Sequence, residues 1–337
     1  MRIGIVNDVA LIAEALRRLI VNTREHEVIW VAHGGLQALR LCAEQRPDLV
    51  LMDLIMPDID GAEATRRIMT EAPCPILIVT ASPDENTNLV FRAMGAGALD
   101  VVATPVISGR AGGDGALLAK IRTIGKLNGA LVAPVTPSPR PLAPRVLPAT
   151  AGVSTLVAIG ASTGGPHALA QIFARWKPPA HCCTVIVQHI DEGFADSFAH
   201  WLAEQIRHPV AAIRDGAALA PGAILLARTN DHLTLSAEHR LRYSVEPSGY
   251  PYRPSVDVFL RAVALHWRKP AIGVLLTGMG RDGAHGLLAM RMAGKTTIAQ
   301  DRASSAVFGM PRAAAELGAA QEIAAPEAIA RLLAERV

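Results

Sequence analysis

Cysteine is scarce: four residues in 337, Cys42, Cys74, Cys182 and Cys183, none in a CxxC spacing. That excludes a disulfide framework and a thiolate metal site, and a long chain rich in Ala, Leu and Val needs no such staples. The thiols are expected to be reduced. Aromatic residues make up only 4% of the chain, which leaves little for stacking against bases. No run approaches the roughly 18 consecutive apolar residues of a membrane-spanning helix. The start, MRIGIVNDVALIAEAL, places Asn7, Asp8 and Glu14 where a signal peptide requires an unbroken apolar segment. Charge of one sign is missing as well: the net charge is +3, far from the dense basic footprint of a nucleic-acid binder. The expectation is a cytoplasmic protein with no nucleic-acid partner and no membrane insertion. Residues 1–123 hold 12 Lys and Arg against 15 Asp and Glu, residues 124–151 three basic and no acidic residues, and the remainder 18 against 15. This mildly basic back half suits an acidic substrate.

Half of the residues are hydrophobic, enough for large cores, and the length points to two domains. From the start, apolar runs alternate with helix-period segments: RIGIVN with VALIAEALRRLI, EVIWVA with GLQALRLCAE, DLVLMD with GAEATRRIM, PILIVT with NTNLVFRAM, and ALDVVA with ALLAKIRTI. Five βα units result, and strands without clean alternation suit a parallel sheet covered on both faces. This α/β domain is assigned to residues 1–123. A proline-rich stretch, LVAPVTPSPRPLAPRVLPAT, favours extended, semi-rigid chain, so residues 124–151 are read as a linker. Residues 152–337 are read as a second, doubly wound α/β domain. It is interrupted between 210 and 246 by short β-like pieces, VAAIRD, AILLAR, HLTLSA and RLRYSVE, taken as an antiparallel excursion.

Ligands of a parallel α/β sheet sit beyond the carboxyl ends of its strands. There Asp8 follows the first strand, Asp53 ends the third, Thr80 the fourth and Thr104 the fifth. Converging carboxylates can bind Mg²⁺ through oxygen and leave one as a nucleophile toward a phosphoryl group. Either aspartate alone could equally cap a loop or a helix. Together, LVLMDLIMPDIDG, PILIVT and GALD resemble the receiver domain of bacterial response regulators over residues 1 to about 122. The resemblance implies a flavodoxin-like five-stranded sheet in the order 2-1-3-4-5, with Asp53 as phosphoacceptor. It further implies Asp8 and Asp53 as magnesium ligands, Thr80 and Thr104 at the switch positions, and a histidine kinase as phosphodonor. Asn7 stands where receivers usually carry a second acidic residue, Thr104 where they carry a lysine, and Val101 at a position that is often aromatic.

In the second half, GASTG at 160–164 fits G-x-S-x-G, in which small neighbours let a sharp strand-to-helix turn expose the serine oxygen. The same residues would serve as a plain tight turn with Ser162 capping the helix and Pro166 in its first turn, or as a phosphate-approaching loop. The loop lacks G-x-G-x-x-G, and MAGKTT has Ala289 where a P-loop needs its first glycine. Two more side chains fall at strand ends: His189 closes CCTVIVQH, and Asp282 follows AIGVLLTG in GMGRDG. Serine, imidazole and carboxylate on one rim can build a proton relay, although each partner alone also suits a structural role. His285 is a rival to His189, but it lies too close in sequence to Asp282 to span one imidazole comfortably.

GASTGGP, QH followed by GF, TGMGRDG and AQDRASSAVFGMPRAA together resemble the CheB chemotaxis receptor-glutamate methylesterases, whose receiver–linker–esterase order matches the whole chain. MRIGIVND with GALDVVATP looks closest to the branch serving alternative chemosensory systems such as the Wsp type. The resemblance implies that Ser162 attacks a glutamate γ-methyl ester on a methyl-accepting chemoreceptor, that His189 is the base and then the acid, and that Asp282 orients it. Thr163 would adjoin the nucleophile, and backbone NH groups near Met279 would hold the oxyanion. No cofactor is implied for ester hydrolysis, and receptor glutamine deamidation is implied as a second activity. Where the family has His-Met-Pro-Pro-Gly-Phe, residues 189–194 read HIDEGF. A response regulator with a nucleic-acid-binding output would instead need a basic recognition helix. A degenerate receptor-docking scaffold would differ only in lacking hydrolysis.

Overall fold

The computed structural model describes residues 1–81, 86–105, 114–129, 152–250 and 252–337. The first domain alternates β1 (Arg2–Val6), α1 (Ala10–Asn22), β2 (Glu27–Ala32), α2 (Gly35–Glu44), β3 (Leu49–Met52), α3 (Gly61–Glu71), β4 (Ile76–Thr80), α4 (Thr87–Gly95), β5 (Asp100–Ala103) and α5 (Asp114–Gly129). Its strands pair in parallel in the order β2-β1-β3-β4-β5. Every residue of LVLM in β3 and ILIVT in β4 is buried, because helices cover both faces and leave no wet side for alternation. Helix α5 continues to Gly129, six residues into the segment read from sequence as linker. The prolines of that segment lie outside the described residues.

The second domain contains β6 (Thr155–Ala161), α6 (Gly165–Arg175), β7 (Cys182–Gln188), α7 (Glu192–Ile206), β8 (Val210–Ala212), β9 (Ala217–Ala218), β10 (Ile224–Leu226), β11 (His232–Leu235), β12 (Arg240–Ser244), α8 (Val256–His266), β13 (Ala271–Leu275), α9 (Ala284–Met292), β14 (Thr296–Gln300), α10 (Met310–Glu316), β15 (Glu322–Ala324) and α11 (Pro326–Arg336). Seven strands form a parallel sheet in the order β15-β14-β13-β6-β7-β10-β8, and β11-β12-β9 form a small antiparallel sheet. The antiparallel excursion is therefore narrower than its sequence suggests. VAA and ILL join the parallel sheet as β8 and β10, and β10 is buried throughout. ILL is a continuous apolar run, the pattern of a covered parallel strand, whereas RLRYS alternates and forms the half-wet β12.

The two domains share a hydrophobic seam. Helix α4 packs on α6 and α7. Phe91 of α4, 2% exposed, sets its ring 5.0 Å from Phe198 and 5.1 Å from Trp201, both on α7. All four cysteines are free and buried. Among the described residues no helix is long and apolar enough to cross a membrane.

Candidate active site

Ser162 stands just past β6, the strand from which the sheet grows in both directions, toward β7 on one side and β13 on the other. A crevice opens at such a point beyond the strand ends. The turn into α6 is tight: Gly164 takes φ +78 as the helix N-cap, and Pro166 falls in the first turn. Gly278, just past β13, must also lack a side chain, since a Cβ there would meet Ser162 Cβ at 2.7 Å and Met310 Sδ at 2.2 Å. The Ser162 amide donates to Thr277 O (3.1 Å), Thr277 Oγ1 donates to Thr163 O (2.9 Å), and Gln188 Nε2 donates to Ser162 O (2.9 Å). These bonds fix the backbone on either side of the serine and leave its hydroxyl uncommitted to secondary structure. Ser162 and Thr163 are 5% and 1% exposed.

His189 ends β7, the neighbour of β6, and its Nε2 lies 2.7 Å from Asp282 Oδ2. Asp282 follows β13 and is held by the start of α8. Ser255 Oγ donates to its Oδ1 (2.7 Å), Val256 N to its Oδ2 (2.7 Å) and Asp257 N to its Oδ1 (3.0 Å). Burial alone would raise this carboxyl, but the His189 and Ser255 hydrogen bonds and the Asp257 amide outweigh it and keep Asp282 below the usual carboxylate range. The neighbouring Asp257 takes the opposite course: burial and then the Asp282 charge push it up to about 7. His189 Nδ1 is buried with no hydrogen-bond partner among the described residues. The rival His285 lies exposed on α9.

Ser162, Thr163, His189 and Met279 share one cavity of about 200 Å³ with Tyr252. The first domain closes its far wall with Leu99, Asp100 and Lys120, and Asp100 forms an ion pair with Lys120. The serine, histidine and aspartate singled out in sequence thus converge, Thr163 and Met279 lie beside them, and the other domain sits over the opening.

Asp53, Asp8, Thr80 and Thr104 lie at the carboxyl edge of the first sheet. Burial, with a further push from Asp8, raises the Asp53 carboxyl to about 6, against the hydrogen bonds it accepts from Leu54 N and Ile55 N. Asn7 turns its amide nitrogen to Asp53 Oδ2 (2.8 Å), while its Oδ1 accepts from Val9 N (3.0 Å). Thr80 is 2% exposed, and its carbonyl accepts the Thr104 amide (2.8 Å). Val101 is fully buried in β5. A buried carboxylate beside the Asp8 charge suits a hard divalent cation with oxygen ligands, so the donor set fits Mg²⁺; the Asn7 side-chain oxygen already accepts from Val9 N.

The family model described as CheB methylesterase matches residues 157–333, and the response regulator receiver domain model matches residues 3–110. The chain belongs to the CheB methylesterase family. Among relatives, it is 52% identical to "Protein-glutamate methylesterase/protein-glutamine glutaminase 3" of Burkholderia orbicola, over 98% of both chains. It is 53% identical to "Protein-glutamate methylesterase/protein-glutamine glutaminase 4" of Burkholderia thailandensis, over 98% of this chain and 96% of that one. The Thermotoga maritima CheB methylesterase catalytic domain crystal structure is 32% identical, covering 55% of this chain and 99% of that chain at a TM-score of 0.48. Sequence reasoning within this family missed Gln188, Ser255, Thr277 and Tyr252. Ser255 did carry a signal, a serine directly ahead of the helix-period run VDVFLRAVAL; the others are set by tertiary contacts alone.

Proposed function

We propose that the chain is a receiver-gated serine hydrolase. It would remove methyl esters from glutamate side chains of methyl-accepting chemoreceptors and deamidate receptor glutamines by the same route. The names of its relatives support the substrate class. The observation that carries the mechanism is the His189–Asp282 contact, anchored at Asp282 by the first amides of α8 and opening on the cavity that holds Ser162.

Ser162 Oγ attacks the γ-carbonyl carbon while His189, through Nδ1, takes the serine proton. With Nε2–H donated to Asp282, Nδ1 is the basic nitrogen, and Asp282 stabilises the imidazolium without itself taking the proton. The tetrahedral oxyanion is held by backbone NH groups of the loop around Met279 and of the turn after Ser162. Collapse expels the methoxy group, which takes the proton from Nδ1 and leaves as methanol. A water molecule then gives its proton to Nδ1 and attacks the acyl-serine; Ser162 Oγ leaves, takes that proton back from Nδ1, and the glutamate side chain is released. With a glutamine substrate the first leaving group is ammonia.

Residues 1–123 are assigned to the receiver, 124–151 to the linker and 152–337 to the esterase, in a cytoplasmic protein fed by a chemosensory histidine kinase. Asp53 accepts the phosphoryl group, Asp8 and Asp53 would hold Mg²⁺, and Thr80 and Thr104 respond at the switch positions. The metal supplies charge neutralisation for the transferring phosphoryl group. In the unphosphorylated state the receiver covers the cavity and holds the enzyme closed. Methanol release from membranes bearing methylated receptors tests this reading: wild type should release it and Ser162→Ala should not.

A further inference from the structure

We infer that Tyr252 is a further residue of the ester-cleaving site, its ring clamping the His189 imidazole and its hydroxyl donating a hydrogen bond to the reacting γ-carboxyl group of the bound glutamyl side chain. The inference rests on the serine-hydrolase reading above and adds a substrate contact to it.

The ring comes first. Tyr252 lies flat against His189, with centroids 4.2 Å apart and planes 9° apart. Among the described residues the His189 imidazole has a single hydrogen-bonded anchor, Nε2 on Asp282, because Nδ1 has no partner there. One hydrogen bond leaves the imidazole free to swing about that contact; an aromatic face packed along the ring removes the freedom and holds Nδ1 on the cavity side. The clamp is tied to the anchor, since Tyr252 precedes by three and four residues Ser255 and Val256, which grip the Asp282 carboxylate. One segment therefore positions both neighbours of the histidine.

The hydroxyl points to a ligand. Tyr252 Oη is buried without a hydrogen-bond partner among the described residues, although buried phenols in folded proteins are ordinarily paired. The two carboxylates whose charge it feels are Asp282 and Asp100. Asp282 is filled by His189 and by three donors of the α8 start. Asp100 is filled by Lys120 and by the Val101 amide. Burial first, and then those charges, push the phenol above its ordinary range, so it remains a protonated donor wherever the enzyme works. Tyr252 lines the cavity that contains Ser162, Thr163 and Met279, where a neutral donor meets a developing negative charge on oxygen. The receiver wall satisfies its own Asp100 internally and leaves this hydroxyl for whatever enters when the wall withdraws.

The experiment uses the full-length chain, activated by a small phosphodonor and assayed for methanol release from methylated receptor membranes, with Tm measured on each variant. Tyr252→Phe keeps the stack and loses the donor: kcat should fall by about 10²-fold, the loss expected for one oxyanion-stabilising donor, with KM within twofold and Tm unchanged. Tyr252→Leu loses the clamp as well and should fall at least another fivefold below Tyr252→Phe. Wild-type kcat in Tyr252→Phe would overturn the substrate contact, and equal rates for a folded Tyr252→Leu and Tyr252→Phe would overturn the clamp. Ser162→Ala, run alongside, separates the two levels: an active Ser162→Ala removes the serine mechanism itself, whereas an inactive one beside a fully active Tyr252→Phe removes only the role given to Tyr252.

Discussion

His189 presents Nε2, and not Nδ1, to Asp282: Nε2 lies 2.7 Å from Oδ2, and Nδ1 is buried with no partner among the described residues. The carboxylate can hold the imidazole from this side because β7 and β13 flank β6, so their loops meet across the serine turn. The α8 start then supplies Asp282 with three donors that need its negative charge.

From this relationship it follows that the three side chains fail together. Ser162→Ala and His189→Ala should each lower methanol release by about 10³-fold or more, and the double variant should be no worse than either alone, since members of one relay do not add. Asp282→Asn should retain more activity than Ser162→Ala but lose stability, by about 2–3 kcal/mol, because its amide cannot accept from every donor aimed at the carboxylate. Chemical denaturation together with the rate assay checks both parts. Wild-type rates in Ser162→Ala would remove the relay.

The Phe91 contacts with Phe198 and Trp201 form an apolar seam between the domains, which under the proposed gating would hold the closed state. Truncating a buried phenylalanine costs about 3–5 kcal/mol, and here part of that loss falls on docking rather than on either core. Phe91→Ala should therefore raise the basal rate of unphosphorylated full-length protein several-fold, toward that of residues 152–337 alone. Both should exceed the wild-type basal rate, because only a few kcal/mol of docking holds most molecules closed. Equal rates for all three proteins would show that the receiver does not gate the cavity.

Ser162, His189 and Asp282 were legible because continuous apolar strands announce a parallel sheet, and functional side chains of such a sheet gather at its carboxyl edge. The strand order that makes β6, β7 and β13 neighbours is not written locally. What converged in space had to be argued from strand ends alone. VAA and ILL differ from the expectation because three-residue strands carry too little pattern to reveal a partner; ILL pairs in parallel with β7, and VAA in parallel with ILL. Tyr252 was invisible for a related reason: its stack on His189 joins residues 63 positions apart. Asn7 was legible only as a departure from an acidic residue; that its oxygen accepts from Val9 N while its amide nitrogen faces Asp53 is decided by the fold.

Asp53 makes the receiver's behaviour depend on pH. Its carboxyl is raised from 3.8 to about 6, first by burial and then by Asp8, so the folded state binds this proton more tightly than the unfolded chain does. The metal-free protein should gain stability from this group as pH falls from above 6 toward 4, and lose it as pH rises through about 6. Asp53→Asn, which cannot ionise, should melt roughly 2–4 °C higher than wild type at pH 8, with the gap closing near pH 4. Thermal melts across this range check the sign; a gap that widened toward low pH would contradict it.

The same pocket sets how much Mg²⁺ the receiver requires. Asn7 directs a donor nitrogen at Asp53 where a carboxylate would offer a second negative oxygen, and its own oxygen is engaged by Val9 N. Of the side chains proposed above to hold Mg²⁺, Asp8 and Asp53 are the two carboxylates, a set that favours weak binding of a cation that keeps most of its water. Thr104 removes the ammonium that would pair with a phosphoryl oxygen, a charge-assisted contact worth roughly 1.5–3 kcal/mol. Asp53 should still accept phosphate, but with a raised Mg²⁺ requirement and only partial opening of the esterase. Restoring Asn7→Asp and Thr104→Lys together should lower the half-maximal Mg²⁺ concentration about tenfold and enlarge the stimulation of methanol release by a small phosphodonor. Asp53→Ala should abolish stimulation at every Mg²⁺ concentration. The measurement is a Mg²⁺ titration of phosphodonor-stimulated methanol release for the three proteins. If the double replacement shifts neither midpoint nor amplitude while Asp53→Ala removes the response, the two departures are neutral and this account of the pocket is wrong.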